Sequence, residues 1–354
     1  AGVFFALEIV GGALKSASNS DDGVMVVAPD PATSSDSISA ILLASVLSAL
    51  TSRGILGDHL ILEVGKYTLN TPLTELPLYL LLGAASGLVA FLFSQAAKLS
   101  KSVFDGDLGP TKLQTYMRDL RPEAKPVIGG LLCGLIGLAF PQILFFGYDT
   151  LNGLLANTSQ STPLLLSLLF VKLGTTALSA GSGLVGGTFA PSLFLGAMLG
   201  ASFHNVMSWL LHTAVGHGTS ATTTLMLGAA GSFQLADMPA YAMVGAASVL
   251  AALFRAPLTA SLLLFELTRD YDVILPLMAS AGVGSLVSDL VEEASVSAAE
   301  SEEEAAQRIE ELARKRRRRR KRRDADSVSW GDLADAPTVE KVKDDDALAT
   351  PGPR

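Results

Sequence analysis

The stretch that decides the fold is Ala180-Gly-Ser-Gly-Leu-Val-Gly-Gly-Thr-Phe-Ala-Pro-Ser-Leu-Phe-Leu-Gly-Ala-Met-Leu-Gly200. It joins two apolar segments, residues 163–180 and 192–211. Glycine permits sharp backbone turns, and proline in the first turn of a helix costs no hydrogen bond because that N–H has no partner there. The pattern therefore predicts a helix, a glycine-rich break, and a second helix that starts between Thr188 and Pro191. The break contains Gly181, Gly183, Gly186 and Gly187.

The composition indicates a membrane protein. Hydrophobic residues make up 49% of the 354 residues and charged residues only 17%, a balance typical of polytopic membrane proteins and not of soluble domains. Some apolar segments approach the ~20 residues that a bilayer crossing needs, and others are shorter, so we expect partial and tilted spans. The predicted fold class is all-α, with broken and tilted helices. The predicted spans are residues 75–97, 126–144, 163–180, 192–211 and 274–291, with shorter helices at 37–51, 239–254 and 257–267.

The charge of the membrane part does not attract anions. Up to Leu290 the chain carries 12 basic and 18 acidic residues, a balance of −6. Any anion selectivity must then come from local dipoles and a few basic groups. The single cysteine, Cys133, excludes an intrachain disulfide and is expected to be a packed thiol.

A helix that restarts inside a membrane presents free N–H groups and a partial positive charge. Irregular backbone survives at that depth only where protein or a wet cavity covers it, so the break is a candidate anion site. Gly187, Thr188 and Phe189 are the candidate anion-binding residues, with Gly183, Gly186 and Pro191 shaping the break. The alternative is a close helix–helix contact through small residues.

The motif Gly186-Gly-Thr-Phe-Ala-Pro191 resembles the G-G-x-F-x-P motif of the CLC family of chloride channels and chloride/proton exchangers. Further segments match that family in order and spacing over roughly residues 1–290, and the stretch from Glu75 to Gly83 resembles its plant and algal plastid branch. These segments are Ala1-Gly-Val-Phe-Phe-Ala-Leu-Glu8, Phe254-Arg-Ala-Pro-Leu-Thr259, Leu264-Phe-Glu-Leu-Thr268 and Ile274-Leu-Pro276.

The resemblance implies an inverted-repeat fold, a homodimer with one pore per subunit, and a central chloride held by the amides of Thr188 and Phe189. Residues 1–10, 37–51, 257–267 and 274–291 would form the dimer interface. The chain opens in mid-helix and without Met, so we expect the family's serine and gating-glutamate motifs to precede Ala1. The likeness also implies an integral membrane protein of a plastid, in the thylakoid or the envelope.

Three charged residues need an interpretation. Lys172 lies inside an apolar span and should snorkel, pair, or face a wet path, which makes it a candidate pore charge. Arg255 lies at a second helix break, where we expect it to bond free carbonyls and support the break. Glu8 is followed by Ile9, where exchangers of the resembled family carry a proton-transferring glutamate.

The charged C-terminal part divides the chain into three predicted regions: a membrane domain over 1–291, a juxtamembrane helix over 292–323, and a disordered acidic tail over 324–354. An unbroken basic run begins at Arg314 and ends at Arg323. Such a run favours anionic membrane lipids, at about 1 kcal/mol per residue near the surface, and behind a membrane domain we expect no nucleic-acid contact.

The sequence thus predicts a non-enzymatic anion channel that moves chloride or nitrate passively, with chloride as ligand and no cofactor or metal. Ile9 motivates passive flux without proton coupling. Two alternatives remain open: a chloride/proton antiporter, and a non-conducting membrane scaffold.

Overall fold

The computed structural model describes residues 31–57, 67, 75–158, 160–216, 235–268 and 271–332. Within these ranges the regular structure is α-helical, apart from a 3-10 turn at Pro141–Ile143, which confirms the all-α prediction. Glu8, Ile9 and the tail beyond Asp332 lie outside the described residues. The helices are α1 Pro31–Leu56, α2 Leu76–Asp105, α3 Thr111–Asp119, α4 Ala124–Ala139, α5 Tyr148–Leu155, α6 Thr162–Gly181, α7 Phe189–Gly216, α8 Met238–Phe254, α9 Pro257–Thr268 and α10 Ile274–Asp332.

Four helices in the described part are long and apolar enough to cross a membrane. This agrees with the prediction of a polytopic membrane protein, and α4, α8 and α9 add shorter apolar helices. The candidate spans are Leu76–Asp105, Thr162–Gly181, Phe189–Leu211 and Ile274–Ala299.

Helices α7 and α8 cross at backbone contact in the centre of the first unit, Ala1–Glu292. A Cβ atom on Gly200 would lie 2.0 Å from the Tyr241 carbonyl oxygen, and one on Gly196 would lie 2.3 Å from that of Gly245. Only glycine fits at such a contact, which lets the helix axes approach closely. Helix α8 is consequently buried along most of its length.

Helix α2 packs against α10 in the same way. A Cβ atom on Gly83 would lie 2.4 Å from the Ser280 carbonyl oxygen, and one on Gly87 would lie 2.6 Å from that of Gly284. The hydroxyl oxygens of Ser248 in α8 and Ser280 in α10 are 2.6 Å apart, which adds a polar contact inside the bundle. The long helix α2 is thereby fixed against both α8 and α10.

Several element boundaries differ from the prediction. The segment expected to span 126–144 ends as α4 at Ala139, because Pro141 begins the 3-10 turn and cannot continue the helix. Helix α1 begins at Pro31 and not near Ser37. Helix α3 was not predicted, since its amphipathic face covers only nine residues.

The second unit, Glu293–Arg354, is described through Asp332 as the continuation of α10. Two i,i+4 ion pairs support its helix, Glu310–Arg314 at 2.8 Å and Glu311–Lys315 at 2.7 Å. The helix includes residues 324–332, where the sequence predicted the start of a disordered tail. No glycine or proline interrupts the chain between Gly284 and Gly331, and a helix once formed extends by one hydrogen bond per residue.

Candidate anion site at the glycine-rich break

Helix α6 ends at Gly181 in a closed C-terminal motif. The Gly183 N–H donates to the Ala180 carbonyl (3.2 Å), and the Leu184 N–H donates to the Ser179 carbonyl (3.3 Å). Gly183 has a φ of 91°, the left-handed conformation that this Schellman arrangement requires and that glycine adopts without strain. Gly183 therefore terminates α6, and the chain leaves the helix after Leu184.

Helix α7 restarts with free donors. Its first hydrogen bond runs from the Ser192 N–H to the Thr188 carbonyl at 3.0 Å, which makes Thr188 the N-cap. Within the described ranges the N–H groups of Gly187, Thr188, Phe189 and Ala190 have no backbone acceptor. The next residue, Pro191, has no N–H to offer. The start of α7 thus presents a short series of unbonded amides together with the positive end of the helix dipole.

The break is open on one side. Val185 is fully exposed, and no atom lies within 4 Å of a Cβ placed on Gly186 or Gly187. Phe189 and Thr188 are half-buried, and Ala190 is 7% exposed, so the chain passes from an open segment into the packed core within a few residues. An anion could reach these amides without displacing a side chain at either glycine.

Ser182 is buried, and its hydroxyl donates to the Ser179 carbonyl at 2.8 Å. The hydroxyl thus bonds a carbonyl at the end of α6 that also accepts from the Leu184 N–H. Its oxygen lies 2.2 Å from where a Cβ on Gly129 would be, so Gly129 gives α4 the room to approach the end of α6. Ser182 thus supports the break without facing its free amides.

Lys172 is 4% exposed, so it does not snorkel. Its ammonium donates to the carbonyls of Ile143 (2.6 Å) and Phe145 (2.8 Å), and lies 5.4 Å from the centroid of the Phe194 ring. A buried ammonium needs such partners to offset its lost hydration. Lys172 ties the irregular segment after α4 to α6, and its role as a pore charge stays a prediction.

Arg255 lies at the second break, between α8 and α9, with a left-handed φ of 54°. We expected its side chain to bond free carbonyls, but it contacts carboxylates: Nε lies 3.0 Å from Oδ1 of Asp289, and the guanidinium also pairs with Glu292. Both carboxylates belong to α10, and the sequence around Arg255 alone does not show that α10 packs beside it. Only the backbone N–H of Arg255 bonds a carbonyl, that of Ala251.

Sequence reasoning missed Glu75, which is 1% exposed and stands directly before α2. Its carboxylate accepts from the hydroxyls of Tyr79 (3.2 Å) and Tyr241 (3.0 Å) and from the Ala236 N–H (2.9 Å). These bonds satisfy a buried charge and join the starts of α2 and α8. The i,i+4 spacing of Glu75 and Tyr79 was a visible signal, whereas the partners near α8 lie more than 160 residues away.

With this geometry established, comparison with known proteins identifies the family. The family described as "Voltage gated chloride channel" matches residues 1–289. The chain belongs to this CLC family. The match covers α1 to α9 and the part of α10 up to residue 289, and it includes the glycine-rich break.

Individual relatives agree. Chloride channel protein CLC-f of Arabidopsis thaliana is 38% identical over 69% of this chain and 29% of its own length, and CLC-e of the same plant is 34% identical over 81% and 37%. The H(+)/Cl(-) exchange transporter ClcA of Citrobacter koseri is 34% identical over 68% of this chain and 45% of its own length. The chain thus spans less than half the length of these relatives.

A solved structure, a slow cyanobacterial Cl-/H+ antiporter, is 22% identical and covers 72% of this chain and 52% of its own, with a TM-score of 0.49. The family is one of channels and transporters, and both kinds occur among the named relatives. Membership in the CLC family, together with the apolar helices, makes the chain an integral membrane protein.

Proposed function

We propose that this chain belongs to an anion channel that moves chloride or nitrate passively. Its central anion-binding site would be the start of α7, residues 187–190, called the seat below. The observation that carries the proposal is the set of unbonded N–H groups from Gly187 to Ala190, beside glycines with open space around them. Membership in the CLC family supports anions as the transported species.

The seat would act through backbone dipoles and not through a fixed charge. Amide N–H groups replace part of the hydration shell of the anion, and the helix start adds the equivalent of about half a positive charge. No cofactor takes part. Conduction requires binding that is favourable enough for entry yet weak enough for release, and dipoles without a salt-bridging cation meet that requirement.

A chloride/proton antiporter is the second candidate, because relatives with that activity in their names match this chain. Ile9 favours passive flux, since its side chain cannot carry a proton. Liposomes that contain the purified protein and a chloride gradient distinguish the two. We expect chloride flux with little proton movement, and a stoichiometric counterflow of protons would instead establish the antiporter.

A pair of variants tests the seat itself. Thr188→Pro deletes the N–H of Thr188 at a position that precedes α7, whereas Thr188→Val keeps the N–H and removes only the hydroxyl. A hydrogen bond to a charged group contributes about 1.5–3 kcal/mol, so we expect Thr188→Pro to weaken chloride binding roughly tenfold or more relative to Thr188→Val.

If the Thr188→Pro and Thr188→Val proteins both fold and bind chloride equally well, the N–H of Thr188 does not contact the anion. A wild-type protein without any anion flux would favour the non-conducting scaffold.

We further propose a homodimer in a plastid membrane, supported by the family and by the plant relatives. The basic run from Arg314 to Arg323 would contact anionic lipids.

A further inference from the structure

The end of α6 touches α2 at a basic residue. A Cβ atom on Gly181 would lie 2.2 Å from the Ser100 hydroxyl oxygen and 2.7 Å from the Lys101 backbone nitrogen. Gly181 is the last residue of α6, so the backbone of Lys101 lies directly against the point where the break begins. Lys101 itself is exposed. Lys101 thus lies at the surface beside the C-terminal end of α6, where the break begins.

Two basic side chains near Lys101 form ion pairs with α10. Lys98, one turn before Lys101 on α2, lies 3.3 Å from Glu292, and Arg255 pairs with both Asp289 and Glu292. Asp289 and Glu292 of α10 are therefore each paired with a cation. Lys101 differs, because no carboxylate of the described residues lies within 4.0 Å of its ammonium.

A second lysine flanks the break from α4 but is compensated. The Pro126 ring lies 3.8 Å from where a Cβ on Gly183 would be, which brings the adjacent Lys125 to the same region. The Lys125 ammonium lies 4.0 Å from Oδ1 of Asp105, and its side chain is only 20% exposed. Of the lysines that adjoin the break in the described structure, Lys101 is the one whose charge is free to act on an approaching ion.

We propose that Lys101 is a steering residue that draws anions to the mouth of the glycine-rich break. This inference rests on the proposed anion transport. The membrane part of the chain has a balance of −6, so an anion approaching it is repelled on average. The exposed charge of Lys101, which has no carboxylate partner among the described residues, would reverse that sign locally, within a Debye length of about 8 Å at physiological salt.

The test measures chloride flux into liposomes at a fixed low chloride concentration, with ionic strength set by potassium gluconate. We expect Lys101→Gln to lower the initial flux about twofold and Lys101→Glu about fourfold at low ionic strength, with both effects lost at high ionic strength. Lys101→Arg keeps the charge and should restore the flux. Chloride selectivity over gluconate should not change, because Lys101 acts on approach and not on binding.

Two matched controls remove a lysine elsewhere. Lys112→Gln deletes an exposed charge on α3, away from the atoms that adjoin the break glycines, and Lys98→Gln deletes a charge already paired with Glu292. If Lys101→Gln matches Lys112→Gln while the wild type conducts, the steering role is wrong and the proposed function stands. A loss of flux in Lys101→Gln that persists at high ionic strength also overturns steering. A wild type without anion flux overturns both proposals.

Discussion

Two broken helices in this molecule look alike in sequence and end differently. At the first break, residues 182–188 separate α6 from α7, and the amides that precede and open α7 are unbonded to backbone in the described structure. At the second break only Arg255 and Ala256 separate α8 from α9. There the Ala256 N–H bonds the Ala251 carbonyl at 3.2 Å, and Ala256 is 1% exposed.

The difference shows what makes a break suitable for an anion. Pro257 is the first residue of α9 and removes a donor at once, whereas Pro191 is the third residue of α7 and leaves the N–H groups of Phe189 and Ala190 in place. Length matters too, because the Schellman motif at Gly183 closes α6 and still leaves residues 185–188 before the restart. An interrupted helix offers a site only when such donors remain.

The largest expected effect comes from placing a carboxylate in the first break. Gly187→Asp should reduce chloride flux at least tenfold, because a fixed negative charge there occupies the free amides and repels an anion by several kcal/mol at close range. Space for the side chain exists. Chloride flux in liposomes measures the effect.

The control for this variant is Gly54→Asp, which adds the same charge at an equally open glycine inside the continuous helix α1. It should leave the flux near that of the wild type. If the two variants reduce flux to the same extent, the first break has no special role and the comparison between the breaks loses its functional meaning.

A smaller effect, on stability alone, is expected at the second break. Arg255→Ala loses the ion pairs with Asp289 and Glu292, each contributing about 0.2–1 kcal/mol at such partly exposed positions. It keeps the left-handed backbone, which costs a residue with a Cβ about 1–2 kcal/mol. Arg255→Gly loses the same pairs but relieves that strain, so we expect it to be more stable than Arg255→Ala by about 1 kcal/mol.

Thermal unfolding in detergent gives the order of these two variants. Chloride selectivity should be the same in both and in the wild type. A shift in selectivity with Arg255→Ala would mean that the second break lies on the anion path, against the distinction drawn above.

The smallest effect is predicted for Ser182→Ala. The Ser179 carbonyl that accepts from the Ser182 hydroxyl also accepts from the Leu184 N–H, so removing the hydroxyl leaves no orphaned acceptor and costs about 0.5 kcal/mol. Chloride affinity, measured by concentration-dependent flux, should stay within about twofold of the wild type, a change that corresponds to less than one hydrogen bond. A tenfold loss of affinity would show that this hydroxyl contacts the anion.

The local features of the first break were predictable from its sequence. Closely spaced glycines followed by Pro191 predicted the interruption and a restart between Thr188 and Pro191, and α7 begins within that range at Phe189. This was possible because φ limits and missing N–H groups act on a few neighbouring residues. The partners of charged side chains were not predictable. Lys172 bonds carbonyls 27 and 29 residues away, and Arg255 binds acids on α10 that only packing brings near.

The amino-acid sequence by itself determined the membrane class, the helical fold, the family and the position of the interrupted helix, since composition, glycine and proline act locally. Only the tertiary structure decided that Glu75 is shared by two tyrosines and that Asp289 and Glu292 of α10 are held by Lys98 and Arg255. It also decided that Lys101 adjoins Gly181 with no carboxylate of the described residues within 4.0 Å. The physical reason is that charge pairing depends on distances between helices, and glycine contacts such as Gly200 with Tyr241 and Gly83 with Ser280 set those distances.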